Sequence, residues 1–249
     1  MTTFQKLLET KNKFGAGYWV LLDPDKLSDE DIPQFLECAK AAPIDGILIG
    51  GSLLVNADFE LFICEVKKYS GEIPVIIFPG SIHQISKNAD ALLFLSLISG
   101  RESQHLIGNQ VLAAPLLHRI GLEVISTAYM LIDSGKTTAA QFMSNTMPLP
   151  DNKPEIVVAH ALAAEYLGFK LIYLEGGSGA DNSVPTEIIS AVTRVVKIPV
   201  IVGGGIKTPE DAASKVNAGA SYIVTGNILE SSKDISLLKS FAHAIHNHK

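Results

Sequence analysis

The stretch IPVIVGGGIKTPEDAASKVNAGASYIVTG, residues 198–226, contains a complete strand–helix–strand pattern. Short runs rich in Val and Ile open and close it, and an amphipathic segment separates them. Thr208 is placed to cap the helix, Pro209 and Asp211 suit its first turn, and Gly219 suits its end. Apolar runs without alternation are typical of parallel strands that are covered on both faces. The stretch therefore predicts a parallel βαβ unit.

Similar apolar runs recur along the whole chain, with helical patterns between them. The chain has 249 residues and is 47% hydrophobic, a usual size for one α/β barrel. Eight β-then-α units predict an α/β fold, a (β/α)8 TIM barrel that forms a single domain over residues 1–249. An open doubly wound sheet is the alternative. The predicted strands are 18–23, 46–51, 74–80, 91–95, 122–127, 170–175, 198–204 and 221–226.

Composition narrows the class of function. The net charge is −6 and no basic stripe is visible, which argues against a nucleic-acid partner. The most apolar segment, 91–98, is far shorter than the ~18 residues of a membrane span. Cys38 and Cys64 lie in helical patterns and are interpreted as buried core thiols in a reducing cytosol. We therefore expect a cytoplasmic protein that holds anionic ligands by backbone amides, helix N-termini or metal ions.

Segment 144–155 and the histidines give little information about function. Segment 144–155 is rich in Pro and Asn and predicts a long surface loop, which covers the site, joins an interface or is an inert connector. His243, His246 and His248 lie in a polar C-terminal segment and are expected to be solvated. The remaining histidines show no metal-binding spacing and are expected to be structural.

Glycine is concentrated after the last two predicted strands. Gly203, Gly204 and Gly205 precede the helix that begins near Thr208, and Gly226 is followed by Asn227. Uncovered backbone N–H groups near a helix N-terminus can bind phosphate, and barrels commonly carry such a site after strands seven and eight. Alternatively, the glycines only permit tight turns.

Acidic residues follow the first predicted strand, in the sequence DPDK. Asp23 ends this strand, with Asp25 and Lys26 next to it, and Ser52 ends the neighbouring strand. Carboxylate and hydroxyl oxygens are ligands that Mg²⁺ accepts, often together with waters and a substrate's phosphate oxygens. The pair Asp23 and Ser52 is therefore a candidate magnesium site, and a simple turn is the alternative.

The sixth predicted strand ends in YLEGGSGAD, residues 173–181. Glu175 follows Tyr173 on the side expected to hold the phosphate. A carboxylate there could accept hydrogen bonds from the hydroxyl groups of a small phosphorylated alcohol, or take a proton from one of them. A structural ion pair with a lysine is the alternative role.

Together, LDPDK, IGGS, YLEGGSGA, VGGGIKTPEDA and TGN resemble the geranylgeranylglyceryl phosphate synthase family of prenyltransferases. The similarity runs in the family's order from residue 23 to residue 227. It implies a modified TIM barrel and Mg²⁺-dependent transfer of a prenyl group from its diphosphate to the 3-hydroxyl of sn-glycerol 1-phosphate. It also implies a homo-oligomer, a dimer or a larger assembly such as a hexamer. The ether product is a precursor of membrane lipids.

The resemblance assigns roles motif by motif. Asp23 and Ser52 would bind magnesium, and Glu175 would assist deprotonation of the glycerol hydroxyl. Some members carry a glycerol phosphate-binding lysine where this chain has Leu21, so that role is not transferred. The Gly-Gly-Ser form of the strand-six motif is similar to the branch of many archaea and some bacteria, which favours a C20 donor. The residues that would bind glycerol phosphate are Tyr173, Leu174, Glu175, Gly176, Gly177, Ser178, Gly179, Gly204, Gly205, Gly226 and Asn227.

The lipid chain requires an apolar groove, which we expect near 78–85 and 95–110. Arg101 could contact the diphosphate there, or pair with Glu102 or solvent. Two other functions remain open. One is a barrel enzyme acting on a sugar phosphate, with Asp23 as a second acid–base residue, and the other is a non-catalytic barrel that binds a phosphorylated metabolite. A long apolar groove would favour the prenyltransferase.

Overall fold

Eight parallel strands form a closed barrel in the computed structural model, which describes residues 1–226 and 235–246. Each strand pairs with the next along the chain, and the eighth pairs with the first. The predicted TIM barrel is therefore confirmed, and the open sheet is excluded. The strands are β1 (Gly17–Leu22), β2 (Gly46–Ile49), β3 (Val75–Ile77), β4 (Ala91–Leu97), β5 (Glu123–Leu131), β6 (Leu171–Glu175), β7 (Val200–Gly203) and β8 (Tyr222–Thr225).

Helices surround the barrel, and local sequence signals fix several of their ends. In the 198–226 stretch, the Thr208 hydroxyl accepts a hydrogen bond from the Asp211 N–H at 3.1 Å, the predicted N-cap. Gly219 follows the helix with φ of 106°. The helices are α1 (Thr3–Phe14), α2 (Ile32–Ala41), α3 (Phe59–Ser70), α4 (Asn109–Ile120), α5 (Ala139–Ser144), α6 (Pro154–Tyr166), α7 (Thr186–Thr193), α8 (Pro209–Asn217) and α9 (Ile235–His246), with a π-helical turn (Gln104–Gly108) before α4.

The core has two layers because successive strand side chains point to opposite faces. Outward-facing residues pack against the helices, as Leu174 does. Inward-facing residues fill the barrel, which is a packed core and not a pore. Helix α1 closes the amino-terminal end: Phe4 and Leu7 pack against this inner layer. The strand residues of the inner layer include Trp19, Leu48, Ile76, Leu93, Ile125, Tyr173, Ile201 and Tyr222.

One connection departs from the regular (β/α)8 pattern. The described segment 78–90, between β3 and β4, contains turns and loops but no helix. Helix α4 and segment 78–90 flank the outward face of β4 and leave a space between them. The barrel is modified in this sense, and the altered connection lies beside the functional cavity.

The segment between β5 and α6 is more structured than the sequence predicts. A short helix, α5, precedes the predicted loop 144–155, and Leu149 is buried within that loop. Leu149 forms a parallel bridge with Ile132, just beyond β5. The loop is therefore anchored to the barrel edge at its centre.

Two predictions about burial are wrong. Cys64 is exposed, so it is not a core residue, and Cys38 is only half-buried, packing against the edge of the core. Only 10% of the His246 side chain is exposed: its Nε2 lies 2.7 Å from Asp45 Oδ2, and its ring stacks on Phe14. His248 lies outside the described residues. Among the described residues, no helix is long and apolar enough to cross a membrane.

Candidate active site

A cavity of about 1300 Å³ opens at the carboxyl ends of the strands. It exceeds the roughly 300–1,000 Å³ usual for small-molecule sites, and it is lined by acids, glycines and apolar side chains. Its position is that of the active site in TIM-barrel enzymes. The predicted residues that line it are Asp23, Ser52, Tyr173, Glu175, Gly177, Ser178, Gly179, Gly204, Gly205 and Gly226.

Glu175 ends β6 and is buried, with 5% of its surface exposed. Its Oε1 accepts a hydrogen bond of 2.6 Å from the Gly177 N–H, and the carboxylate also accepts one from the Tyr173 hydroxyl. Burial raises the pKa of Glu175 from 4.5 to about 7, and these two hydrogen bonds oppose the shift. No lysine pairs with it among the described residues, so the alternative of a lysine ion pair is wrong. A carboxylate with a pKa near neutrality is suited to general base catalysis.

Aromatic side chains form a dry wall next to Glu175. The Tyr173 ring stacks on Phe78 with centroids 5.0 Å apart, and it meets the edge of Tyr129 at 5.5 Å. Burial raises the pKa of both tyrosines well above the usual value, with a further contribution from the nearby Glu175 charge. Both hydroxyls therefore stay protonated, and that of Tyr173 can donate to Glu175.

The glycines after β7 are required by close packing. Gly204 has φ of 80°, and a Cβ there would lie 2.3 Å from Glu175 Oε1. Gly205 has φ of 72°, and its Cβ would lie 2.6 Å from the Asn182 carbonyl oxygen. Both positions therefore exclude a side chain, which brings the backbone of this loop against the acid and the neighbouring loop. Close packing is thus a structural reason for these glycines besides the turns they permit, and their contact with phosphate stays a prediction.

Some residues of the strand-six motif line the cavity and others do not. Ser178 and Gly179 are exposed at the mouth of the cavity, and Gly177 lines it beside Glu175. Leu174 and Gly176 do not line it: the Leu174 side chain packs outward against the helices, and the Gly176 N–H donates to the Gly203 carbonyl at 2.9 Å. Neither residue lines the cavity, so a contact of Leu174 or Gly176 with substrate stays a prediction without support from the cavity lining.

The last predicted contacts follow β8. Gly226 lines the cavity next to Thr225 and lies close to Leu21, since a Cβ on Gly226 would lie 3.5 Å from Leu21 Cβ. Asn227 lies outside the described residues. The loops after β6, β7 and β8 thus reach the same cavity, as the sequence predicts.

The candidate magnesium ligands lie at another part of the rim. Asp23 Oδ1 is 3.0 Å from the position of a Cβ on Gly51, the residue before Ser52, and Lys26 Nζ is 3.5 Å from Asp23 Oδ2. The described residues contain no cluster of three His, Cys, Asp or Glu side chains suited to a metal. Mg²⁺ usually takes one or two carboxylates and completes its shell with waters and substrate phosphates, so Asp23 with the Ser52 hydroxyl fits such an ion.

Asp25 has a structural role instead of a ligand role. Its carboxylate accepts hydrogen bonds from the N–H groups of Val55, Asn56 and Ala57 at 2.7, 3.0 and 2.8 Å. These bonds hold the pKa of Asp25 below its usual value. Asp25 therefore fixes the loop that follows Ser52.

Gln84 supports the same loop from segment 78–90. It is buried, its Nε2 donates to the Gly51 carbonyl at 2.8 Å, and its Oε1 accepts from the Gly80 N–H at 3.0 Å. Gln84 is not among the residues predicted from the sequence. An isolated glutamine in an irregular segment carries no local signal of this contact.

An apolar groove extends from the barrel mouth. It reaches both faces of β4, since the cavity is lined by the inward-facing Leu93 and Leu95 and by the outward-facing Leu92 and Phe94. The irregular segment 78–90 forms one of its walls. The predicted location near 78–85 and 95–110 is confirmed, with Phe78, Ile82, Ile85, His105, Gln110, Ala113 and Leu117 among the lining residues.

Arg101 does not line this cavity. Its guanidinium donates to the carbonyl oxygens of Gly100 at 2.7 Å and of Ile98 and Ser99 at 3.4 Å, and it lies 3.2 Å from His160 Nε2. The side chain is exposed, as the solvent-facing alternative predicts, and among the described residues it neither lines the cavity nor forms an ion pair with Glu102. It caps the backbone after β4.

Two cavity lysines are absent from the predicted set. Lys136, in the loop after β5, forms an ion pair of 2.8 Å with Asp181 Oδ1, and Lys207 Nζ donates to the Asp181 carbonyl at 2.9 Å. Lys207 belongs to the quoted motif VGGGIK and could have been recognised beside the glycines. Lys136 follows Ser134 and Gly135 in a loop that resembles many others, so only the fold shows its position.

Fold and site together define a TIM-barrel protein whose cavity is lined by glycine-rich loops, a buried acid and an adjoining apolar groove. The chain belongs to the PcrB family, whose model matches residues 7–245. It is 43% identical over 243 residues to a geranylgeranylglyceryl phosphate synthase of Chitinophaga pinensis, covering 98% of this chain and 95% of that one. A protein of the same name from Thermococcus gammatolerans is 41% identical over 231 residues, covering 93% and 91%. The predicted family is therefore confirmed.

Solved structures support the same assignment. The (S)-3-O-geranylgeranylglyceryl phosphate synthase of Thermoplasma acidophilum, in complex with its substrate sn-glycerol-1-phosphate, superposes with a TM-score of 0.91 at 34% identity, over all of both chains. An archaeal fructose 1,6-bisphosphate aldolase gives a TM-score of 0.65 at 17% identity and shows the shared barrel fold alone.

Proposed function

We propose that this protein is a prenyltransferase that joins a prenyl diphosphate to the 3-hydroxyl of sn-glycerol 1-phosphate, with geranylgeranyl diphosphate as the preferred donor. The single observation that carries the proposal is the position of buried Glu175 between the glycine loops and the apolar groove, in one continuous cavity. The names of the relatives and the glycerol phosphate complex of the Thermoplasma acidophilum protein support the same reaction.

Each part of the cavity suits one part of the substrates. Backbone N–H groups of the loops after β6, β7 and β8 suit the phosphate of glycerol phosphate. The apolar lining of β4 and α4 suits a long isoprenoid chain. Glu175 lies where the two substrates would meet, beside Tyr173.

In the reaction, the glycerol oxygen forms a bond to the first carbon of the prenyl group, whose bond to diphosphate breaks. Glu175 takes the hydroxyl proton, and the Tyr173 hydroxyl and the Gly177 N–H orient its carboxylate. We assign Asp23 and Ser52 as ligands of Mg²⁺, which would neutralise the negative charge of the departing diphosphate when bound. The aromatic wall excludes water from the reacting carbon.

The groove disfavours the two alternatives left open by the sequence. An enzyme acting on a sugar phosphate needs no long apolar slot, and Asp23 lies at the rim with Lys26 next to it. A non-catalytic binding protein has no use for a buried carboxylate with a pKa near 7, since its desolvation destabilises the fold. We also propose a cytoplasmic location and a homo-oligomeric state.

The test is product formation by the purified protein with Mg²⁺, sn-glycerol 1-phosphate and a series of prenyl diphosphates of increasing length. We expect a prenyl ether only with the 1-phosphate, most efficiently with the C20 donor, and none in EDTA. Equal use of sn-glycerol 3-phosphate would contradict the proposed acceptor. Absence of an ether with every donor, despite glycerol phosphate binding, would favour a binding protein.

A further inference from the structure

The loops after β5, β6 and β7 are joined by one cluster of charged side chains: Lys136, Asp181 and Lys207. Lys136 pairs with the Asp181 carboxylate at 2.8 Å, while Lys207 donates to the Asp181 backbone carbonyl at 2.9 Å. All three residues line the cavity, together with Ser178, Gly179, Gly204 and Gly205. Two cations are thus held next to the glycine loops by an aspartate of the loop that follows Glu175.

The ion pair between Lys136 and Asp181 is solvent-exposed, with 46% and 61% of the two side chains accessible. Exposed pairs contribute little to folding stability because solvent screens them. The pair therefore positions Lys136 without holding it firmly. The hydrogen bond from the Lys136 side chain, together with the charges of Lys136 and Lys207, keeps the pKa of Asp181 below its usual value, so the carboxylate is ionised at neutral pH.

A phosphate bound beside the loops after β5, β6 and β7 would require positive charge at that part of the cavity. Its lysines are Lys26, Lys136 and Lys207 among the described lining residues, and Lys26 follows β1, where it lies beside Asp23. The Gly177 N–H already donates to Glu175 and the Gly176 N–H to Gly203, so two amides of the strand-six motif are engaged within the protein. A phosphate dianion also has to overcome a net protein charge of −6.

We propose that Lys136 and Lys207 bind the phosphate monoester of glycerol phosphate, and that Asp181 is an internal anion which the phosphate displaces from Lys136. This inference rests on the proposed function and adds two substrate-binding side chains to it. Lysine donates to phosphate as a compact charge and can exchange a carboxylate for a phosphate oxygen without moving its backbone. The exchange would bring both lysine charges onto the phosphate through side-chain motion alone.

The experiment compares Lys136→Ala, Lys207→Ala and Asp181→Asn with the wild-type protein and with Lys153→Ala. Lys153 is an exposed lysine that does not line the cavity, in the connection that also contains Lys136. Glycerol phosphate affinity is measured by calorimetry, and KM is measured separately for glycerol phosphate and for the prenyl diphosphate. Thermal unfolding verifies that each variant folds.

We expect each lysine variant to weaken glycerol phosphate binding roughly tenfold, about 1.4 kcal/mol, with little change in kcat or in the KM for the prenyl diphosphate. Asp181→Asn should strengthen binding about twofold to threefold, because Lys136 no longer has to leave a carboxylate. Lys153→Ala should match the wild type.

Three results would overturn the inference. The first is wild-type glycerol phosphate affinity in both lysine variants. The second is a rise in KM for the prenyl diphosphate alone. The third is a loss of glycerol phosphate affinity in Asp181→Asn as large as that in Lys136→Ala. The last would make the ion pair purely structural. The calorimetric arm needs no turnover, so it still reports on the lysines if no ether forms and the proposed function itself fails.

Discussion

The two ends of the barrel are built from different chemistry. At the carboxyl end, glycines with positive φ allow backbone segments to pack closely, and burial of the Glu175 carboxylate raises its pKa to about 7. At the amino end, α1 covers the inner layer, and Glu123 accepts hydrogen bonds from the Thr3 and Phe4 N–H groups at 2.6 and 3.0 Å. The first end is organised for binding and chemistry, and the second for stability.

The largest expected effect tests the carboxyl end directly. Glu175→Gln keeps the shape of the side chain but removes the base, so we expect kcat to fall about 10²- to 10⁴-fold. In the wild type, kcat/KM should rise with pH through about 7 as Glu175 ionises. Initial rates across pH for both proteins provide the measurement. Wild-type turnover in the variant would eliminate Glu175 as the base.

The same substitution should not destabilise the fold. Because the folded-state pKa of Glu175 is raised from 4.5 to about 7, the native state binds this proton more tightly than the unfolded chain. That stabilisation is complete below pH 4.5 and is lost as pH rises through about 7. The variant should therefore gain stability over the wild type above pH 7, by roughly 3 kcal/mol at most. Urea unfolding at pH 5 and pH 8 measures the difference.

An intermediate effect is expected from two matched glycines, one at each end. Gly204 and Gly168 both have positive φ, of 80° and 84°. A Cβ on Gly204 would meet Glu175, whereas nothing lies within 4 Å of a Cβ on Gly168. Alanine at either position should cost about 1 kcal/mol of backbone strain. Gly204→Ala should in addition lower kcat/KM at least tenfold, while Gly168→Ala should leave it unchanged. Equal activity of the two variants would refute the steric argument.

The smallest effect on activity is expected at the amino end. Asp45 Oδ2 accepts hydrogen bonds from the Tyr18 N–H and from His246 Nε2, both at 2.7 Å. Asp45→Ala leaves these donors without their partner and should destabilise the protein by about 1–3 kcal/mol, with kcat unchanged. Asp151→Ala, at an exposed loop position, is the control. A fall in kcat at a temperature where Asp45→Ala is folded would show that the two ends are coupled.

The sequence was sufficient for most of the fold and for the strand ends that carry the site. Continuous apolar runs predict parallel strands, and because those strands close into a barrel, their carboxyl ends meet at one face. Glu175, Asp23 and the glycines after β7 therefore reach one cavity, as expected from their places at the strand ends. Boundaries were less accurate, since β5 continues to Leu131 beyond the predicted 122–127.

Predictions failed where a residue's environment comes from distant parts of the chain. For Arg101 the sequence left open a contact with diphosphate or pairing with Glu102 or solvent; the side chain is exposed, and its guanidinium binds backbone carbonyls after β4, which the sequence did not predict. His246 looked solvated in a polar segment, yet it packs on Phe14 and pairs with Asp45, 201 residues away in sequence. Charge and polarity at one position do not specify which distant groups that side chain will meet.

Local sequence patterns are enough to specify the barrel, the glycine-rich strand ends and the acid among them, because strand periodicity and backbone conformation are local properties. Three features emerge only in the folded chain: Glu175 is buried with a pKa near 7, segment 78–90 contains no helix and borders an apolar groove, and Lys136 and Lys207 share Asp181. Burial, electrostatics and cavity shape depend on which loops meet after the barrel closes, and that closure joins residues far apart in the chain.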